Sequence, residues 1–373
     1  MKDTLEISGF AAPGYESVID AFALNFDRGD ELGARFSAYQ AGALVVDLWA
    51  GWTDRDRTRP WTKETLSRIF SSGKAAMAAL VAEAVSAGAL NYEKRIAHYW
   101  PEFGAAGKGE ITLAMALSHQ AGLCGFPDEI PPEEWIDHDA IAARLAAMAP
   151  LWKPGSAPGY HPQTIGFIVN EVLRRAAGKT VGAMLREKAF DIHCGMKADE
   201  TARVAYMPKP PSAPVHRDSE LTKIAFLKPW SAAGKVARED WMAAEIPASN
   251  MHATAEALAA IVHPLANDGV DVKGARLIDP KVVGAALKTQ ISGDDLVLPF
   301  HLDWTAGLMR NTNGHFGPSP TAFGHAGFGG SAAMIDPAKK ISAGYVMNKM
   351  SPSLAGDARA VALFAALDEA ARR

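Results

Sequence analysis

The sequence predicts an α+β fold, an α/β sandwich. An antiparallel sheet is built from the N- and C-terminal segments and flanked by helices, and an all-helical lobe is inserted between its two halves. Three observations carry this. Strand-like alternation appears near the start, in "ARFSAYQAGALVVDLWAGW", and again near the end, in "GGSAAMIDPAKKISAGYVMN". Between them the apolar periodicity is mostly helical. At 373 residues, the chain is too long for one small core. The expected division is a sheet domain from 1–70 and 285–373, and a mainly helical domain from 71–284, with an active cleft at their junction.

Taken in order, Glu16–Phe26 reads as an acidic first helix. Gln40-Ala41-Gly42 reads as the turn of the first hairpin. Helical spacing follows over Ala75–Ala87, Leu113–Ser118, His138–Ala147 and Ile165–Ala177, the last stopped by Gly178. A further helix over Thr254–Val262 is expected to stop near Pro264, which has no N–H to continue the ladder. Asp336-Pro337 supplies the turn of the C-terminal hairpin, and the alanine-rich tail Asp357–Arg373 is a closing helix. The stretch 207–247 carries six prolines (Pro208, Pro210, Pro211, Pro214, Pro229 and Pro247) and little periodicity. A long irregular segment of that kind reads as a wall or lid.

Composition narrows the function. With 48% hydrophobic and 21% charged residues the chain has the make-up of an ordinary globular protein. A net charge of −4, with acids and bases interspersed, leaves no basic stripe to follow phosphates, so nucleic-acid binding is excluded as a leading idea. Cys124 and Cys194 are the only cysteines and form no metal or redox motif. The apolar run Ala75–Val85 contains Glu83 and is far short of the roughly 20 residues a membrane span needs. Met1–Phe10 has no secretory pattern, and the expected location is cytoplasmic. There is no G-x-S-x-G elbow, no HExxH and no phosphate loop. No metal and no organic cofactor are implied, and nothing in the sequence bears on oligomeric state.

The stretch "IFSSGKAAMAALVAEAV", 69–85, holds the one S-x-x-K of the chain. Three residues of helix turn the chain by about 300°, so Ser71 and Lys74 share a face. A serine at a first helical turn has free N–H groups beside it and a dipole that favours developing negative charge. Mostly small or apolar neighbours would lower the pKa of Lys74 by burial, as a base requires. On spacing alone the commoner reading is the other one: a serine, Ser71 or Ser72, capping a helix beside a solvated lysine.

Three further blocks bear on the choice: "ITLAMALSHQAGL" (111–123), "PGSAPGYHPQTIGFIVNEVLRRAAG" (154–178) and "FGHAGFGGSAAMIDPAKKISAGYVMN" (323–348). With Ser71-x-x-Lys74 they resemble, in order and over nearly the whole chain, the serine β-lactamase-like superfamily: class C β-lactamases, DD-peptidases and especially family VIII carboxylesterases. The resemblance implies the β-lactamase/transpeptidase-like fold, with Ser71 as nucleophile, Lys74 as its partner and Tyr160 sharing proton transfer. It implies backbone N–H groups of Ser71 and Phe328 as the oxyanion donors, and His325 and Gly327, in the place of the lactamase K-T-G, against the substrate. Where lactamases have the asparagine of Y-x-N this chain has Pro162, and where they have a lysine it has His325. Both departures weaken recognition of a lactam or a D-Ala-D-Ala peptide and shift the expectation to a small-molecule ester. Phe126, Trp152, Trp230 and Trp304 are expected cleft walls. The implied activity is that of a serine carboxylesterase on small or short-chain esters. An acyltransferase, a weak β-lactamase or amide hydrolase, and a non-catalytic binding relative are the alternatives.

Overall fold

The computed structural model describes residues 6–234 and 236–372. Nine antiparallel strands form one sheet: β1 (Ser8–Ala11), β2 (Gly33–Gln40), β3 (Ala43–Gly51), β7 (Ile291–Asp294), β8 (His301–Trp304), β9 (Met309–Arg310), β10 (Phe323–Ala326), β11 (Ala332–Asp336) and β12 (Ile341–Met347). They lie in the order β1-β3-β2-β12-β11-β10-β9-β8-β7. The two ends of the chain meet where β12 pairs with β2, Tyr345 opposite Phe36. The β2–β3 turn places both Ala41 and Gly42 at positive φ, 48° and 87°. That is the primed-turn geometry matching the right-handed twist of a hairpin. A small second sheet, in the order β4-β6-β5, joins β4 (Ser67–Arg68), β5 (Ile192–His193) and β6 (His252–Ala253).

Strand alternation sorts the residues of the large sheet onto two faces. Ala34, Phe36 and Ala38 of β2 and Ala343, Tyr345 and Met347 of β12 join one apolar cluster with Phe22 of helix α1 (Glu16–Asp27) and Leu363, Phe364 and Leu367 of the C-terminal helix Ala358–Ala370. The opposite face carries Arg35, which bonds to Asp47 and to Glu256, each at 2.8 Å. Glu256 belongs to the helix Ala255–Ala266, which lies on this face. Gly344 allows that approach, since a Cβ there would sit 2.3 Å from Ala255 O.

Two features of that helix differ from the sequence expectation. It falls within 71–284 yet packs on the sheet, so a segment of the inserted stretch supplies one of the sheet's covering layers. It also continues through Pro264 to Ala266. The proline forfeits one ladder bond, but the turn is buried on all sides, and the last carbonyls are taken by Asn267 N–H and Gly269 N–H.

Helix α2 (Gly73–Ser86) is buried around nearly its whole circumference, from Gly73 to Ala82 without a break. A helix so apolar on every side is a central one. It is wedged between Ala255–Ala266 and Thr164–Ala177, and starts two residues before the expected Ala75. Gly178 ends Thr164–Ala177 in the left-handed conformation, φ 68°. The stretch 207–247 is irregular apart from Glu220–Thr222, a π turn at Lys223–Leu227 and Arg238–Ala243. No helix among the described residues is long and apolar enough to cross a membrane.

Candidate active site

The Ser71 turn is locally strained. Phe70 sits at φ 47°, a left-handed conformation that costs a bulky residue about 1–3 kcal/mol. A short 3₁₀ turn, Phe70–Ser72, leads into α2. This kink leaves Ser71 partly exposed and turns Ser72 fully inward. The Ser72 hydroxyl donates to Ile69 O at 2.5 Å and lies 3.0 Å from Ser331 Oγ, which itself donates to Ile69 O. Ser72 occupies the N-cap of α2 without a capping side-chain bond. The two serines therefore separate: one is open to solvent, the other bolts the turn to β11.

Lys74 is buried beneath Ser71. Its Nζ lies 3.0 Å from Ser71 Oγ, 2.9 Å from Pro162 O and 2.8 Å from Ala248 O. Desolvation holds its pKa well below the ordinary lysine value. Pro162, whose side chain offers no hydrogen bond, thus contributes its carbonyl.

Tyr160 reaches the same point from the other side: its hydroxyl shares a hydrogen bond with Ser71, and Lys74 Nζ lies 5.0 Å from its ring centroid. Burial pushes the phenol above its ordinary pKa, outweighing the Ser71 bond that lowers it. Its ring is stacked between Trp304 (centroids 5.9 Å, 10°) and Phe226 (6.2 Å, 26°), with His119 edge-on at 4.8 Å. Asp295, wholly buried, accepts from Tyr160 N–H at 2.9 Å and from Val297 and Leu298 N–H, which fixes the backbone of the tyrosine loop.

Phe328 packs its ring on Phe70 at 5.8 Å, close to edge-on. Among the described residues no acceptor takes the backbone N–H of Ser71 or of Phe328. Two free donors beside an exposed hydroxyl have the composition of an oxyanion site.

Several expected substrate contacts lie elsewhere. His325 is completely buried behind Tyr160, ring centroids 5.9 Å apart; its Nδ1 lies 2.9 Å from Ala326 O and its Nε2 has no partner. Desolvation and the nearby Lys74 bring its pKa down to about 3, so it is neutral. Gly327 faces protein rather than cleft. A Cβ there would meet Ser331 Oγ at 2.2 Å and Ile69 O at 2.3 Å, so this glycine is what lets β10 close on the Ser71 turn. Phe126 and Trp304 are core residues, the latter wholly buried with Nε1 directed at Asp295. Trp230 donates to Phe126 O, and Trp152 packs edge-on against His161. Phe126 and Trp304 are thus buried, and Trp152 and Trp230 half-buried.

The open space lies on the other side. A cavity of about 1080 Å³ is lined by Phe70 and Phe328, the chain neighbours of Ser71 and Gly327, and by Trp241, Tyr206 and residues of the proline-rich 207–214. None of the four expected aromatics lines it.

Sequence reasoning passed over His119, Asp295 and Phe226. His119 lies within the 111–123 block but carries no role there, Asp295 and Phe226 stand in no motif, and only a contact with Tyr160 distinguishes each. His119 Nδ1 accepts from His161 N–H at 3.1 Å; His161 in turn accepts at Nε2 from Leu123 N–H, so its Nδ1–H donates to Gly159 O. His138, Asp139 and Glu171 bring three ligand-type atoms within 4.8 Å of one another. Arg174 and Arg175 already occupy the Glu171 carboxylate, which makes this an ion-pair cluster poorly suited to a cation.

The chain is similar to known proteins over nearly its whole length. The Beta-lactamase family pattern matches residues 20–366. The chain is 30% identical over 367 residues to Esterase/beta-lactamase LipL of Mycobacterium tuberculosis (strain ATCC 25618 / H37Rv), covering 92% of this chain and 83% of that protein. A solved penicillin-binding protein homologue from Caulobacter crescentus superposes with TM-score 0.94 at 44% identity, over 98% of this chain and 100% of that one. A family VIII carboxylesterase superposes with TM-score 0.91 at 37% identity, over 98% and 99% of the two chains. With a family match from helix α1 to the C-terminal helix, the chain belongs to the β-lactamase family and is a serine hydrolase.

Proposed function

We propose that this protein is a carboxylesterase that hydrolyses small esters by two acyl transfers through Ser71. The observation that carries the reading is the surroundings of Lys74. A neutral amine has two N–H bonds and one lone pair. The carbonyls of Pro162 and Ala248 accept the two N–H bonds, leaving the lone pair for the Ser71 hydroxyl proton at 3.0 Å. Burial disfavours both an ammonium and a phenolate here, which favours neutral Lys74 beside protonated Tyr160 as the resting pair.

Lys74 then takes the Ser71 proton as Oγ attacks the ester carbonyl. The N–H groups of Ser71 and Phe328 hold the oxyanion. Tyr160 gives its proton to the departing alcohol and takes up the proton that Lys74 removed from Ser71, which restores the resting pair. Water attacks the acyl-enzyme with the same groups acting in reverse. The match to LipL, described as an esterase/beta-lactamase, and to a family VIII carboxylesterase supports the ester as substrate. So does the sequence, which puts Pro162 and a neutral His325 where a lactam-recognising amide and lysine would stand.

A fluorophosphonate should label Ser71, as located by mass spectrometry, and a short nitrophenyl ester should be turned over. Nitrocefin and an added alcohol acceptor serve as comparison substrates. Labelling elsewhere, or nitrocefin turned over faster than the ester, would overturn the reading.

A further inference from the structure

The cavity that opens at Phe70 and Phe328 is lined by four cationic residues, Arg59, Arg68, Lys209 and Arg238, and by no aspartate or glutamate. Arg59 is paired with Asp54 at 3.3 Å. Among the described residues, Arg68, Lys209 and Arg238 have no carboxylate partner.

Arg68 is the most constrained of them. It stands three residues before the nucleophile, with its guanidinium carbon 3.9 Å from the Phe70 ring centroid and 4.2 Å from that of Trp241. Its Nε donates to Ser249 O at 3.3 Å, which leaves the edge formed by the two terminal nitrogens unused. Desolvation without any compensating acid pulls its pKa down to about 9. A guanidinium in that state gains more than most from an incoming anion. Its cross-strand partner His252, 2% exposed, lines the same cavity and has an Nδ1 with no partner.

An arginine stacked between two rings can present its free edge in only one plane. That edge matches the two oxygens of a planar carboxylate, and the exposed Arg238 and Lys209 add positive field at the cavity wall. We propose that this cavity binds a carboxylate carried by the ester substrate itself, gripped by Arg68. The preferred substrates are then esters with a free acid near the scissile bond, such as monoesters of short dicarboxylic acids. This rests on the esterase reading and specifies its substrate class.

The test compares nitrophenyl hydrogen glutarate with nitrophenyl pentanoate, the neutral ester of equal acyl length, on wild type, Arg68→Met and Arg68→Lys. Wild type should prefer the glutarate in kcat/KM by about tenfold or more, the preference shrinking with added salt. Arg68→Met should erase most of that ratio, and Arg68→Lys should restore part of it. Calorimetric titration of glutarate into Ser71→Ala should show binding that Arg68→Met removes. Equal rates for the two esters in wild type, a salt-independent ratio, or a ratio unchanged in Arg68→Met would overturn the proposal while leaving the esterase intact. If Arg68→Met does not fold, the wild-type ratio and its salt dependence decide. Turnover of neither ester, with Ser71 unlabelled by fluorophosphonate, would instead remove the esterase reading and this inference with it.

Discussion

Lys74 and Lys108 are both buried, and each holds its Nζ against three oxygen atoms. Around Lys108 all three are backbone carbonyls, of Ala105, Ala146 and Met148. Around Lys74 two are carbonyls and the third is the Ser71 hydroxyl. Desolvation lowers both lysines, Lys74 further. Carbonyls can only accept, so three of them hold an ammonium and make Lys108 a pin between its own turn and the C-terminal end of the helix His138–Ala147. Replacing one by a hydroxyl supplies a proton the amine can take. On the proposed mechanism, what would make a base of Lys74 and not of Lys108 is therefore the chemistry of the third neighbour as much as burial.

The largest expected effect removes that neighbour or the amine. Ser71→Ala should abolish ester turnover, by about 10⁶-fold in kcat if it behaves as in other acyl-enzyme systems. Lys74→Met should lose at least about 10³-fold in kcat/KM while the protein still folds, read by ester kinetics with circular dichroism as the control. Lys108→Met should do the converse. It leaves three carbonyls without their donor and should cost about 3 kcal/mol or more in denaturant unfolding, with kcat nearly kept. If Lys108→Met were inactive but fully stable, the contrast between the two lysines would fail.

A pH profile sharpens the same comparison. A base with a depressed pKa is competent above that pKa and protonated below it. The rate should therefore fall on the acid side through a single limb lying below the ordinary lysine pKa of 10.5. His161 and His325 are held down to about 3 by burial, so neither should own that limb. Tyr160→Phe should lower the plateau by orders of magnitude yet keep the limb; a limb that vanished would make the tyrosine the resting base.

The smallest effect falls on the neighbouring serine. Ser72→Ala removes the bonds to Ile69 O and Ser331 and should cost about 1 kcal/mol, with ester turnover changed far less than by Ser71→Ala. Comparable losses from both serines would mean that the turn, and no particular hydroxyl, carries the activity.

Much of this was legible in the sequence, and the limit falls at a definite place. Alternation in "ARFSAYQAGALVV" and "SAAMIDPAKKISAGYV" gave the two hairpins, because a half-buried strand writes its pleat into its residues. Gly178 marked a helix end because only a left-handed residue could stop there without strain. The pairing of Ser71 with Lys74 followed from helical geometry. The division into 1–70 with 285–373 against 71–284 remains our proposal for the domains, with Ala255–Ala266 packed across it.

Tertiary structure alone decided the rest. It separated the two serines in space, since the turn at Phe70 leaves Ser71 partly exposed and buries Ser72. It sent His325, Gly327, Phe126 and Trp304 into the interior and opened the space beside Arg68 and Trp241 instead. Periodicity records which face of an element is buried, a property of the element itself. Whether an isolated histidine, aromatic or arginine meets core or cavity depends on what a distant segment brings against it, and no local pattern carries that information.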